Sequence, residues 1–275
     1  MQRPEWAVPE VDLDRPSASR MYDYLLGGSH NVPVDRELAD QMLRLAPEAA
    51  EAAHANRAFL HRAVRMLVDA GIRQFLDIGS GIPTRGNVHE IAQRLAPESR
   101  VVYVDVDPIA VAQGNQILAG NPSCLAVHGD LRHPKPILHD PQVRALLDLD
   151  QPVGVLLVAV LHFVPDDDDP ADAVAQLRDA VAPGSHLVIS HAGQLAASTD
   201  ELDRARKTYD RTPTSLILRR PEEISAFFAD WPVVEPGLVT VARWRPEADR
   251  VPDSSVRTDR LPAYAAVGVK PPQVD

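Results

Sequence analysis

Cysteine is almost absent from this sequence. Cys124 stands alone, so no internal disulfide can form, and a cytoplasmic setting is the expectation. The residue itself reads as a small buried hydrophobe. Aromatic residues are also scarce, at 5%, which leaves Ala, Val, Leu and Ile to build the core. No dense Lys/Arg run offsets a formal net charge of −11. That removes the basic footprint needed by a general binder of nucleic acid or of an anionic membrane, while a neutral or cationic small substrate stays open. Long apolar runs are missing too. The longest, G-V-L-L-V-A-V-L-H-F-V at 154–164, is too short to cross a bilayer as a helix and suits a buried strand. The first residues, M-Q-R-P-E-W-A-V-P-E-V-D, carry acids and prolines where a secretory signal needs an apolar stretch. Lysine is limited to Lys135, Lys207 and Lys270, an Arg and Ala bias that reflects a GC-rich bacterial genome and not function.

What is present is enough apolar residue, 45% of 275, for one large α/β domain or a domain with appendages. Residues 1–20 read as a Pro-rich arm and 35–70 as helices. In N-R-A-F-L-H-R-A-V-R-M-L-V, Phe59, Leu60, Ala63, Val64, Leu67 and Val68 fall at helical spacing, with Gly71 as the stop. Short apolar strands then alternate with helices. The strands are expected at 74–79, 100–106, 124–128, 152–161 and 186–191, with helices near 87–95, 108–119, 141–148 and 171–182. Asp107-Pro108 and Asp169-Pro170 each place a capping acid before a proline at the first helical position. Strands apolar on both faces argue for a parallel sheet covered on both sides. A polar helix near 199–210, another near 221–229, a loop over 245–262 and late strands at 238–244 and 264–269 complete the pattern. The expected architecture is a doubly wound, mostly parallel seven-stranded sheet with an antiparallel C-terminal edge strand. Residues 1–70 would form an arm and helical cap, and 71–275 the Rossmann-like domain.

In open α/β sheets ligands bind beyond the carboxyl ends of the strands. Gly79 and Gly81 follow the first strand, Asp105 ends the second, Asp130 follows the third and His162 the fourth. The dinucleotide fingerprint G-x-G-x-x-G fails here: Thr84 takes the third glycine position, Gly86 comes two residues late, and Pro83 removes an N–H donor. Asp77 adds a negative charge that repels a pyrophosphate and attracts an ammonium group. Taken singly, a glycine pair is often only a turn, Asp105 a solvated strand end and Asp130 a local cap. The signal is all four in order at successive strand ends.

The pattern acid-x-Gly-x-Gly resembles the first motif of class I S-adenosylmethionine-dependent methyltransferases. That resemblance implies that the backbone at Gly79 and Gly81 approaches the ligand and that Asp77 lies near its ammonium group. It further implies that Asp105 takes the ribose hydroxyls, Val106 packs on the adenine, Asp130 meets the adenine amino group and Leu131 lines the ring. A closer resemblance, over residues 14–271, is to an actinobacterial family of these methyltransferases whose substrate is unassigned. It is carried by R-M-Y-D-Y-L-L-G-G (20–28), N-R-A-F-L-H-R-A-V-R (56–65), L-D-I-G-S-G-I-P-T-R-G-N-V-H (76–89), V-V-Y-V-D-V-D-P (101–108), V-A-V-L-H-F-V-P-D-D-D-D-P (158–170), W-R-P (244–246) and Y-A-A-V-G-V-K-P (264–271). It implies the fold and S-adenosyl-L-methionine as cofactor, with S-adenosyl-L-homocysteine as product. It supplies no acceptor. A small molecule is expected, and no nucleic-acid or membrane partner.

Methyl transfer needs a general base only if the acceptor must lose a proton. His162, at the end of the central strand, is the leading candidate base, and His191 follows the same logic. Asp166–Asp169 read as a solvated loop and cap, and no spacing demands a metal. Tyr22 or Tyr24, ahead of Gly27 and Gly28, is expected to face the ligand from a lid over the strand ends, and Tyr22 is the second catalytic candidate beside His162. Arg20 and Arg57 are candidates for a ligand carboxylate. Two other functions fit parts of the pattern: a non-catalytic S-adenosylmethionine-binding protein, and a nicotinamide-dependent oxidoreductase. Oligomeric state is not readable from the sequence.

Overall fold

A computed structural model describes residues 13–83, 86–193, 216–246 and 263–272. The expected polar helix near 199–210 and most of the 245–262 loop lie outside these residues. Three helices come first: α1 (Ala18–Leu25), α2 (Pro33–Leu45) and α3 (Ala49–Asp69). The alternating part follows: β1 (Gln74–Ile78), α4 (Val88–Leu95), β2 (Arg100–Asp105), α5 (Pro108–Ile117), β3 (Cys124–His128), α6 (Pro134–His139), α7 (Pro141–Leu146), β4 (Gly154–Val158), α8 (Pro170–Ala180) and β5 (His186–Ala192). Then come α9 (Pro221–Ser225), β6 (Val239–Thr240) and β7 (Ala263–Val269).

The strands form one seven-stranded sheet in the order β3-β2-β1-β4-β5-β7-β6. β1 to β5 run parallel, and β7 pairs antiparallel with β5 on one side and β6 on the other. The C-terminal strand therefore reverses direction as expected, with the two-residue β6 lying outside it. Strand parity explains the burial. Leu76, Ile78, Val102, Val104, Val155, Leu157, Leu187 and Ile189 join one apolar cluster with α6, α7 and α8. Their sequence neighbours Phe75, Val101, Tyr103, Leu156 and Val188 join another with α3 and α4. Successive side chains point to opposite faces and both faces are covered, so each strand reads as an unbroken apolar run.

The caps form as the sequence predicts. Asp107 accepts from Ile109 N at 2.9 Å and Asp169 from Asp172 N at 3.1 Å, each ahead of a proline at the first helical position. Three elements differ from expectation. β4 ends at Val158, three residues early, because Ala159 adopts a left-handed backbone (φ 59°) and Leu161–Phe163 form a 3₁₀ turn. The late strand expected over 238–244 shortens to Val239–Thr240, since Arg62 of α3 donates to both Val241 O and Trp244 O at 2.7 Å and fixes a turn there. The helix expected near 141–148 is one of two short helices, α6 and α7, each opened by a proline.

Candidate active site

The sheet's order reverses between β1 and β4, and the candidate residues gather at the carboxyl ends around that point. Gly79 (φ 73°) and Gly81 (φ 63°) turn the chain after β1. A side chain at Gly79 would strike Val160, so this position must stay bare for the β1 and β4 ends to meet. Asp105 ties the turn to β2: Oδ2 accepts from Gly81 N at 2.7 Å and Oδ1 from Asp107 N at 2.9 Å. Each oxygen keeps a lone pair for hydroxyl donors. Burial pushes the Asp105 carboxyl up to about 6, although the Asp107 and Gly81 amides oppose the shift. Asp77 is buried and accepts no hydrogen bond from any described residue. Burial raises it to about 7, with Arg57 opposing and Asp105 reinforcing the shift. These two acids are the most perturbed carboxylates described, and such groups cluster at functional sites.

Val106 follows Asp105 with 50% of its surface exposed, an apolar platform beside the paired acids. Asp130 lies at the end of β3 and is gripped by Arg132, whose Nε contacts both carboxylate oxygens at 2.9 and 3.0 Å. Burial alone would raise its pKa, but the Arg132 hydrogen bonds outweigh it and hold the carboxyl below its usual range. Leu131 is 5% exposed and sits in the core cluster with Val104, Val127 and Ile137.

The ends of β4 and β5 are built differently. His162 is buried in the 3₁₀ turn, and its Nδ1 accepts from Ala192 N at 3.1 Å. The ring proton is therefore on Nε2. Burial, then the charges of His191 and Arg219, keep the ring neutral, with its pKa well below the ordinary value. In this state His162 offers an N–H at Nε2 and has no free ring nitrogen to accept a proton. His191 carries the opposite tautomer: Nδ1 donates to Ala192 O at 2.6 Å and Nε2 accepts from Arg219 at 2.9 Å. Burial lowers it to about 4, against a weaker raising effect of the Ala192 carbonyl. Arg219 is only 5% exposed. It also donates to Leu161 O and Val164 O at 2.9 Å and to Asp166 Oδ1 at 2.6 Å. The run Asp166–Asp169 is exposed, as expected of a solvated loop. Among the described residues no group of three or more His, Cys, Asp or Glu is arranged to hold a metal.

The N-terminal helices reach this face. Ser17 Oγ donates to Asp107 Oδ2 at 3.1 Å, and Ser19 lies 3.8 Å from the place a Gly81 Cβ would take. The Tyr22 hydroxyl accepts from Asn56 Nδ2 at 2.9 Å and donates to Ala53 O at 3.2 Å. Asn56 Oδ1 in turn takes the Ser190 hydroxyl at 2.6 Å, and Ser190 Oγ accepts from Ala159 N at 2.9 Å. One polar chain thus runs from α1 through α3 and β5 to the strained end of β4. Two residues raised by the sequence are occupied elsewhere. Arg20 is buried against Asp35 at 2.7 Å, and Tyr24 donates to Asp40 at 3.0 Å. Arg57 stays at the site, with Nη1 3.4 Å from Asn87 Oδ1 and its guanidinium 5.7 Å from the Tyr22 ring. The loop after β1 meets α3 as well: His61 Nε2 lies 3.0 Å from Gly86 O. Sequence reasoning did not single out Asn56, Ser190 and Arg219.

A parallel sheet with one reversed C-terminal strand, and a left-handed glycine turn at its switch point, place the chain among the doubly wound α/β folds that bind ligands beyond the strand ends. Residues 4–271 match the family model described as S-adenosyl methyltransferase, and the chain belongs to that family. It is an S-adenosylmethionine-dependent methyltransferase with a Rossmann-like fold. No curated protein matches it significantly. Among solved structures, a candidate methyltransferase from Thermobifida fusca is 39% identical, covering 98% of this chain and 100% of that one with a TM-score of 0.90. A DUF574 family protein from Streptomyces avermitilis is 40% identical over 94% of this chain and 99% of that one, with a TM-score of 0.88. The carbon methyltransferase CurJ is 13% identical over 93% of this chain and 71% of that one (TM-score 0.52), a likeness of fold alone. No helix among the described residues is long and apolar enough to cross a membrane.

Proposed function

We propose that this chain methylates a small molecule in the cytoplasm, holding S-adenosylmethionine at the carboxyl ends of β1, β2 and β3. The observation that carries this reading is the pair of buried acids, Asp77 and Asp105, set around the Gly79–Gly81 turn beside half-exposed Val106. Asp105 would take the ribose diol on its remaining lone pairs, Asp77 the ammonium group, and Val106 one face of the adenine. Asp130 would meet the adenine amino group, and Leu131 would brace that strand end from the core side. When bound, the cofactor supplies a sulfonium methyl carbon open to in-line displacement.

The protein's own part is alignment and exclusion of water. Alignment alone can supply roughly 7–11 kcal/mol. The ends of β4 and β5 suit that role. His162, candidate base by sequence, is placed as a neutral donor that orients an acceptor through Nε2–H. Helix α1 acts as the lid, with Ser17, Ser19 and Tyr22 on its inner side. A net charge of −11 without a basic patch supports a small acceptor over nucleic acid.

The test is to incubate the protein with methyl-labelled S-adenosylmethionine and an actinobacterial extract fractionated by size. Label entering the small-molecule fraction is expected, together with at least tenfold weaker cofactor binding by Asp105→Ala. Label confined to protein or nucleic acid would overturn the acceptor class. Absence of calorimetric binding at millimolar cofactor would overturn the cradle.

A further inference from the structure

At the carboxyl ends of β4 and β5 the protein itself settles where the protons lie. His162 Nδ1 accepts from Ala192 N at 3.1 Å, which leaves the ring proton on Nε2. His191 Nε2 accepts from Arg219 at 2.9 Å, and its Nδ1 proton goes to Ala192 O. The Ser190 hydroxyl donates to Asn56 Oδ1 and the Tyr22 hydroxyl to Ala53 O. Neither ring keeps a nitrogen to take a proton, and a neutral hydroxyl is too weak a base to do so. The acids of the turn between β4 and α8 are engaged as well: Asp166 with Arg219, Asp168 with Arg132, and Asp169 as the cap of α8. What this wall does offer is the N–H at His162 Nε2, which no described residue accepts, and a buried cation close by. The His162 and His191 rings stand 5.4 Å apart, edge to face, with the Arg219 guanidinium on the second. Arg219 is buried, while the Asp166 side chain that balances it is 78% exposed, so water weakens the acid's field far more than the cation's. Burial first, then the His191 and Arg219 charges, disfavour a positive His162 ring. The charge effects, unlike burial, favour an anion in the same place.

We propose that the acceptor is a carboxylate and the product its methyl ester: one carboxylate oxygen accepts from His162 Nε2–H while the other attacks the methyl carbon. This rests on the proposed function and deepens it. An oxygen–carbon bond forms, the carbon–sulfur bond breaks, and its electron pair stays on sulfur. An anion and a sulfonium become a neutral ester and a neutral thioether, and no proton moves. An alcohol or an ammonium acceptor would have to release a proton, for which these groups supply no base. A carboxylic acid, with an ordinary pKa of about 4, arrives already ionised. The net charge of −11 is no bar, because exposed charges farther away than roughly 8 Å are screened at physiological ionic strength.

The experiment uses methyl-tritiated S-adenosylmethionine, the wild-type chain and the small-molecule fraction of the actinobacterial extract. The product is treated with mild alkali, which converts methyl esters to volatile methanol and leaves methyl ethers, amines and thioethers intact. Most of the incorporated label should leave as methanol. Alkali-stable label in that fraction would overturn the carboxylate and leave methylation of a small molecule standing. Label confined to protein or nucleic acid would overturn the small-molecule reading, and this one with it. Initial rates with the same fraction, at saturating cofactor, test the part of His162. His162→Gln keeps an N–H donor and should lose less than about tenfold. His162→Leu should lose roughly tenfold to hundredfold, the worth of a hydrogen bond to a charged group. Equal losses in the two variants would overturn the donor role.

Discussion

The two halves of the site, on either side of the β1–β4 boundary, solve opposite problems. On the β1–β2 side, polar groups are buried and left wanting. Among the described residues Asp77 accepts no hydrogen bond and Arg57 Nε and Asn87 Nδ2 find no acceptor, and Asp77 and Asp105 are both pushed toward neutrality by burial. On the β4–β5 side the groups are equally buried but bonded to the protein, His162 Nδ1 and His191 Nδ1 to the Ala192 backbone and Arg219 to Leu161 O and His191 Nε2. Unmet groups are destabilising in the free protein and are tolerated where a ligand of fixed chemistry completes them. Groups held in this way make a wall that keeps its shape whatever lies against it. The proposed function accordingly assigns ligand specificity to the first half and presentation of the acceptor to the second.

Removing the pin of the bonded half should give the largest effect. Arg219→Ala strips partners from Leu161 O, Val164 O and His191 Nε2, and at about 1–3 kcal/mol for each buried acceptor left unpaired it should cost about 3 kcal/mol or more of unfolding free energy in urea titrations. With its lowering charge gone, the His191 pKa should rise. A loss under 1 kcal/mol would mean that the wall does not depend on this residue.

The unmet half should respond to pH instead. Asp77 has a folded value of about 7 against an ordinary 3.8. Without ligand, the folded chain holds a proton that the unfolded chain releases, and stability falls as pH rises from about 4 to about 7. A bound ammonium group pairs with the ionised form. Affinity for S-adenosylhomocysteine should therefore rise with pH up to about 7, by as much as tenfold per unit. Calorimetry from pH 5.5 to 8 should show this slope in the wild type and a flatter one in Asp77→Asn. The Asn variant should also withstand more denaturant than the wild type at pH 8. Equal slopes would assign the proton to another group.

The smallest effect belongs to the link between the halves. Tyr22→Phe removes one hydroxyl from the chain joining α1, Asn56, Ser190 and Ala159, while Asn56 keeps its bond to Ser190. A loss of about 0.5–1.5 kcal/mol is expected by denaturant titration. A loss above 3 kcal/mol would show that the halves depend on one another more than on their own contacts.

The same contrast governs what could be read from the sequence. The β1–β2 half was legible because its pattern is local: an acid, two glycines at fixed spacing, and a second acid one βα unit later, each at a strand end marked by apolar periodicity. The wall was not. Arg219 spends its donors on backbone carbonyls more than fifty residues upstream and on a histidine 28 residues upstream, and no residue pattern records a carbonyl's position. Likewise the left-handed turn at Ala159 lies inside A-V-L, where every residue looks like strand. The turn at 241–244 depends on Arg62 from α3. Leu131 matched the motif by position, yet the fold turns its side chain into the core.

Gly193 and Arg219 form an isolated parallel bridge, so the backbone leaves the wall and returns to it at one place. The main chain of Arg219 is pinned beside the end of β5 while its guanidinium grips Leu161 O and the His191 ring. For an engineer this residue is a fixed point, held at both its backbone and its tip, from which the neighbouring wall can be altered one side chain at a time.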